Sequence, residues 1–95
     1  MAKTIAVVPT ENGWKYLQQL CKHWSHKLEV ELGDHTGTVR FAEAMATMSA
    51  DNKALTVEID AVSDEVLERM KGVVASHLDR FAFREAPLPF AWDAA

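Results

Sequence analysis

The chain carries one cysteine, Cys21, among its 95 residues. No intramolecular disulfide can form, so a reducing compartment is the expected setting. Long hydrophobic runs are also lacking: the longest are four or five residues, such as Ile5-Ala6-Val7-Val8, against about 20 for a bilayer-spanning helix. Met1-Ala2-Lys3-Thr4 begins no apolar secretory signal, and the cytoplasm is the expected location. Positive charge is scarce, with a formal net charge of −4 and no three consecutive basic residues. Neither nucleic-acid phosphates nor an anionic membrane surface is then an expected partner. The four glycines never cluster, so no glycine-rich loop is offered to a flavin or nicotinamide phosphate.

What is present is ordinary globular material, 48% hydrophobic and 25% charged. A chain of this length buries roughly 60–68% of the surface its unfolded form exposes, enough for one core without metal or disulfide staples. Residues 1–95 read as a single domain, with no linker, repeat or low-complexity tract.

Hydrophobic periodicity supplies the elements. Residues 4–8 form a β-branched run stopped by Pro9, which has no N–H for a ladder. Thr10 is placed to cap a helix with Glu11 in its first turn. Trp14, Leu17, Cys21, Trp24 and Leu28, with Leu20 beside them, make the stripe of an amphipathic helix over residues 11–27. Asn12-Gly13 weakens its first turn and can delay the start by two residues. From Leu28 the period becomes two: Leu28, Val30 and Leu32 alternate with Glu29 and Glu31. Residues 33–37 read as a turn, and Val39 and Phe41 belong to a returning strand. A strand over residues 44–50 competes with helix, because alanine and methionine suit both. Leu55, Val57 and Ile59 alternate cleanly.

Ser63 caps a second helix that Asp64 and Glu65 favour electrostatically. Its apolar face holds Val66, Leu67, Met70, Val73, Val74, His77, Leu78 and Phe81, and it is expected to last to about Phe83. Leu88, Phe90 and Trp92 alternate in a last extended segment that Pro89 pushes to an edge. The order β-α-β-β-β-β-α-β predicts an α+β fold, two helices packed on one face of a mainly antiparallel sheet. The other face, with Glu29, Glu31, Thr38, Arg40, Thr47, Ser49, Thr56, Glu58 and Asp60, is expected to be wet.

Residues 16–27, from Tyr16 through Cys21-Lys22-His23-Trp24 to Lys27, resemble a signature segment of the bacterial domain-of-unknown-function family 2218. So do residues 73–85, around His77-Leu78-Asp79-Arg80-Phe81, and the ending Leu88-Pro89-Phe90-Ala91-Trp92. The resemblance covers nearly the whole chain. It implies a small bacterial protein with no established activity. It also implies a setting beside siderophore-interacting flavin reductases, so that iron acquisition is a context and not a reaction.

Cys21-x-His23-x-x-His26 looks like a metal motif, but a helix advances about 100° per residue. Cys21 then lies roughly 200° from His23 and roughly 140° from His26, so the thiol does not converge with them. His23 and His26, at i and i+3, are neighbours and are the candidate metal ligands. His77 sits in an apolar stripe, where an imidazole needs a hydrogen-bond partner. The bland expectation is a buried histidine satisfied by a backbone carbonyl or a neighbouring side chain; the functional one is a cleft between the helices in which His77 coordinates metal or shuttles protons and Arg80 and Arg84 grip a carboxylate or phosphate. For those arginines, pairing with Glu85, Asp79 or a strand carboxylate is the plainer expectation. Cys21 and His77 could also form a nucleophilic pair, though a cysteine in apolar surroundings is inert. Trp14, Trp24, Trp92, Phe41, Phe81 and Phe90 fall at in-facing positions and are expected in the core.

These observations lead to a non-catalytic accessory or binding module, serving a small ligand or protein partner and set in iron or siderophore handling. The alternative is a metal- or haem-binding protein using His23, His26 or His77. A cysteine-dependent enzyme and a self-associating homo-oligomer stand behind these, and no cofactor is predicted.

Overall fold

The computed structural model describes residues 2–94. Its elements are β1 (Ala2–Pro9), α1 (Gly13–Trp24), β2 (Glu29–Gly33), β3 (Thr36–Arg40), β4 (Ala44–Ala50), β5 (Ala54–Ala61), α2 (Asp64–Phe81) and β6 (Asp93–Ala94). The strands form one sheet in the order β2-β3-β4-β5-β1-β6, and every pairing is antiparallel. Both helices lie on one face, α1 over β2–β4 and α2 over β5 and β1.

The alternation read in the strands becomes burial. Leu55, Val57 and Ile59 of β5 are fully buried, and so are Ala46 and Met48 of β4. That β4 is a strand, despite residues with good helix propensity, follows from having a partner along both edges, β3 and β5. From the helices, Leu17, Leu20, Val74 and Leu78 complete the core; each buried leucine contributes roughly 1.5–3 kcal/mol.

Local chemistry sets the element ends. The Ser63 hydroxyl accepts the Val66 N–H at 3.2 Å, the expected cap of α2. Thr10, by contrast, does not cap α1: the helix begins at Gly13, after an Asn12 that makes no side-chain cap bond. The Thr10 hydroxyl instead accepts the Asn12 N–H at 3.1 Å, two residues before the helix. Helix α2 stops at Phe81, short of Phe83, with Ala82 in a non-helical conformation.

Residues 33–37 are not one long turn. Gly33 pairs with Thr36, so the hairpin turn is Asp34-His35, with His35 at φ 59°, a left-handed conformation in which histidine is enriched. Gly37 is therefore a strand residue. A Cβ there would stand 2.7 Å from the Cys21 Sγ and 2.9 Å from Leu17 Cδ2. The missing side chain is what lets α1 lie so close to β3.

The final segment pairs later than its alternation predicts. Pro87 and Pro89 supply no N–H, and Phe90 donates back to the Leu88 carbonyl at 2.9 Å. The Phe90 and Trp92 rings stack 5.2 Å apart, and among the described residues only Asp93 and Ala94 of this segment pair with β1, opposite Ile5 and Thr4. The edge position is as expected.

Two glycine substitutions separate these effects. Gly37→Ala forces Cys21 and Leu17 away and is expected to cost about 1–3 kcal/mol in urea unfolding. Gly72→Ala, in α2 with nothing within 4 Å of its added Cβ, is expected to gain about 0.5–1 kcal/mol. Equal effects at both positions would contradict the close approach at β3.

Candidate functional site

The two helices meet along a seam where three histidine-aromatic contacts gather. The His23 ring of α1 lies 5.8 Å, centre to centre, from the His77 ring of α2 and 6.0 Å from Phe81. His77 also lies 5.0 Å from Trp24, which packs edge-on against Phe41 at 5.1 Å. Trp24 is buried and His77 half-buried, whereas His23 and His26 are exposed. Outside the seam lies a surface hollow of about 370 Å³ lined by Gln19, Lys22, His23, His26 and Phe81. Its wall has three basic side chains and no carboxylate.

His77 meets the backbone partner that an imidazole on an apolar stripe requires. Its Nδ1 lies 2.7 Å from the Val73 carbonyl. A carbonyl only accepts, so Nδ1 carries the hydrogen, and in the neutral ring Nε2 keeps its lone pair.

The other candidate residues are arranged differently from their sequence spacing. His23 faces α2 and forms a ring pair with His77, 54 positions away along the chain. His26 lines the same hollow, but among the described residues no three histidine, cysteine or acidic side chains gather to hold a metal. Arg80 is exposed on α2. Arg84 lies beyond the end of that helix, so it does not continue the His77 face; its guanidinium sits 5.7 Å over the Phe83 ring. The expected arginine pairing with Glu85 or Asp79 is not made: Asp79 accepts the Leu88 N–H at 2.9 Å, and Glu85 is held elsewhere.

Cys21 is fully buried against Gly37, and burial pushes its thiol up to about 11. At neutral pH it is a protonated core group with negligible thiolate, and the Cys21–His77 nucleophilic pair has no activated sulfur.

A second polar cluster had no signal in the sequence. Glu85, just past α2, accepts from the Thr10 hydroxyl at 2.9 Å and 3.1 Å, from Asn12 Nδ2 at 3.2 Å and from the Tyr16 hydroxyl. The Tyr16 hydrogen bond, followed by those of Thr10 and Asn12, holds the Glu85 carboxyl below its usual range against the opposing effect of desolvation. The same hydrogen bond raises Tyr16. These partners stand 69 and more positions away in sequence, and the cluster ties the chain after α2 to the start of α1.

A family model described as an uncharacterized protein conserved in bacteria (DUF2218) matches residues 5–93. The chain belongs to the DUF2218 family. This DUF2218 chain is also similar to PA4090 from Pseudomonas aeruginosa, whose NMR structure aligns at TM-score 0.84 and 33% identity, covering 98% of this chain and 96% of that one. No curated protein matches it. No helix among the described residues is long and apolar enough to cross a membrane.

The Glu85 cluster gives a pH test. A carboxylate whose pKa is lower in the folded than in the unfolded state stabilises the fold above its unfolded value, about 4.3 for glutamate. That stability is lost as pH falls through the depressed folded value. Urea unfolding of the native protein and Glu85→Gln is expected to show a stability gap that is full at pH 7 and narrows on acidification below the ordinary glutamate range. A gap constant with pH would show that charge on Glu85 is not what the cluster holds.

Proposed function

We propose that this DUF2218 chain is a non-catalytic binding module whose ligand surface is the hollow over the α1–α2 seam. The observation that carries the reading is the makeup of that wall. In a chain of net charge −4, Lys22, His23 and His26 line this hollow with the half-buried Phe81, and no carboxylate is among them. Such a surface favours a small anionic, aromatic ligand: the cations attract it and the Phe81 and His23 rings offer contact area. A ferric catecholate has both properties, and the siderophore setting implied by the family resemblance makes it the ligand class of choice. Arg80, next to Phe81 and exposed, is available to extend the cationic rim, and Arg84 is held apart on Phe83.

A second reading has one specific observation in its favour. The Val73 carbonyl fixes the His77 tautomer in the way backbone carbonyls orient metal-bound histidines, and His23 stands across the seam. A transition-metal ion would use His23 and His77, with His26 dispensable, and solvent would complete its coordination because two imidazoles do not close a site. The imidazole pair offers no sign of the larger apolar enclosure that a haem needs.

One titration separates the readings. Amide chemical shifts are followed while a ferric catecholate, a ferric hydroxamate, zinc and nickel are added in turn. The proposal predicts saturable shifts at Gln19, Lys22, His23 and Phe81 with the anionic catecholate alone, weakened at least about tenfold (1.4 kcal/mol) by Lys22→Glu or Phe81→Ala. Response to zinc or nickel, lost in His23→Ala but kept in His26→Ala, would favour the metal reading. A catecholate response confined to the opposite sheet face would overturn the hollow as the site.

A further inference from the structure

The sheet ends at β2, which has β3 on one side and no strand on the other among the described residues. We propose that this free edge binds an extended peptide of alternating apolar and basic residues, which adds to the sheet as a strand beside β2 and under the flank of α1.

Backbone geometry comes first. The Asp34-His35 turn closes on the Gly33–Thr36 pair, and Glu31 and Glu29 stand opposite Thr38 and Arg40. In an antiparallel hairpin closed in this way, alternate residues exchange both hydrogen bonds with the partner strand. Gly33, Glu31 and Glu29 therefore bond to β3, while Val30 and Leu32 turn their N–H and C=O groups to the open edge. The same alternation shows on the far side of β3, where the next residue of that parity, Phe41, donates to the Ala44 carbonyl at 2.8 Å.

The side chains of the same two residues point to the helix face. Val30 and Leu32, with Gln18, Cys21, Lys22 and Ser25 of the facing helix side, line a groove of about 470 Å³. Leu32 is 54% exposed, one of few large hydrophobic side chains left so open. A strand added here would hydrogen-bond to Val30 and Leu32 and send every second side chain into this groove, the usual division of labour in strand addition.

Charge then chooses the occupant. Glu29 and Glu31 are exposed on the solvent face of β2. Their only ion-pair partner among the described residues is Arg40, at 3.9 Å from each, a length at which an exposed pair contributes little. The alternate residues of an added strand would stand beside these two carboxylates, so basic residues are favoured there. A second copy of this chain pairing through its own β2 would bring glutamate to glutamate, which disfavours that partner by the same rule. The proposed edge borders the α1–α2 hollow, with Lys22 lining both, but it does not rest on the ligand proposed there.

The probe is a short peptide of alternating lysine and valine, compared with its glutamate–valine counterpart, followed by amide shifts and hydrogen exchange. The lysine peptide is expected to move Val30, Leu32, Gln18 and Ser25 and to slow exchange at Val30 and Leu32. Joint Glu29→Lys and Glu31→Lys substitution is expected to weaken it at least about tenfold. N-methylating the peptide amides that face β2 is expected to abolish binding, while N-methylating the opposite set leaves it intact. Any of four results overturns the proposal: no binding, equal binding of the acidic peptide, indifference to N-methylation, or dimerisation of the free protein through β2. Because the glutamates are exposed, the substitutions leave the fold readable by the unchanged core resonances.

Discussion

The missing side chain at Gly37 governs how low α1 lies on the sheet, and much else depends on that height. With no Cβ in the way, Cys21 and Leu17 drop against the middle of β3, and both are fully buried. A helix seated there packs against α2, and residues on its inner flank meet those of α2 across a seam. Tyr16, Leu20 and Trp24 on that flank are buried, and His23, one position from Trp24, is left at the outer lip facing His77 and Phe81. The same seating makes the thiol inert: burial that protects the core also lifts Cys21 to about 11.

Once the helices are in place, polar groups finish the design at the margins of the seam. Glu85 fastens the chain leaving α2 to Thr10, Asn12 and Tyr16, and Asp79 fastens it again at the Leu88 N–H. Leu88 is buried between these ties and the core. The last residues then reach β1, where the Thr4 hydroxyl donates to the Asp93 carbonyl at 2.7 Å. Together these bonds favour one path for the chain leaving α2, most firmly at Leu88, which is buried.

The parts of this arrangement that depend on near neighbours were legible in the sequence. Alternation in Leu55, Val57 and Ile59, the Ser63 cap and the period of α2 all act within a few residues and give both helices and most of the strands, whereas β4 takes its strand form from its partners β3 and β5. Parts that depend on distant partners were not. Tyr16 has no place in the Trp14–Leu17–Cys21 stripe, and its hydroxyl is met by Glu85, brought from the other end of the chain. Helical spacing compares His23 with His26, yet the ring it meets is His77, on another helix. Gly37 was hidden by its resemblance to a turn residue, and Arg84 by a helix that stops three residues before it. The side chains of the seam were identified singly; their meeting was not.

Two surfaces therefore arise from one packing constraint, a basic, ring-lined hollow where the helices meet and an open strand edge on the far side of α1. The central claim is that α1 and α2 are seated so that the His23 and His77 rings face each other. Nuclear Overhauser contacts between the ring protons of these two residues test it most directly. Ring centres 5.8 Å apart predict cross-peaks between the two imidazoles, together with contacts from His77 to Trp24. His23 ring protons that report only on their own helix and on solvent would contradict it.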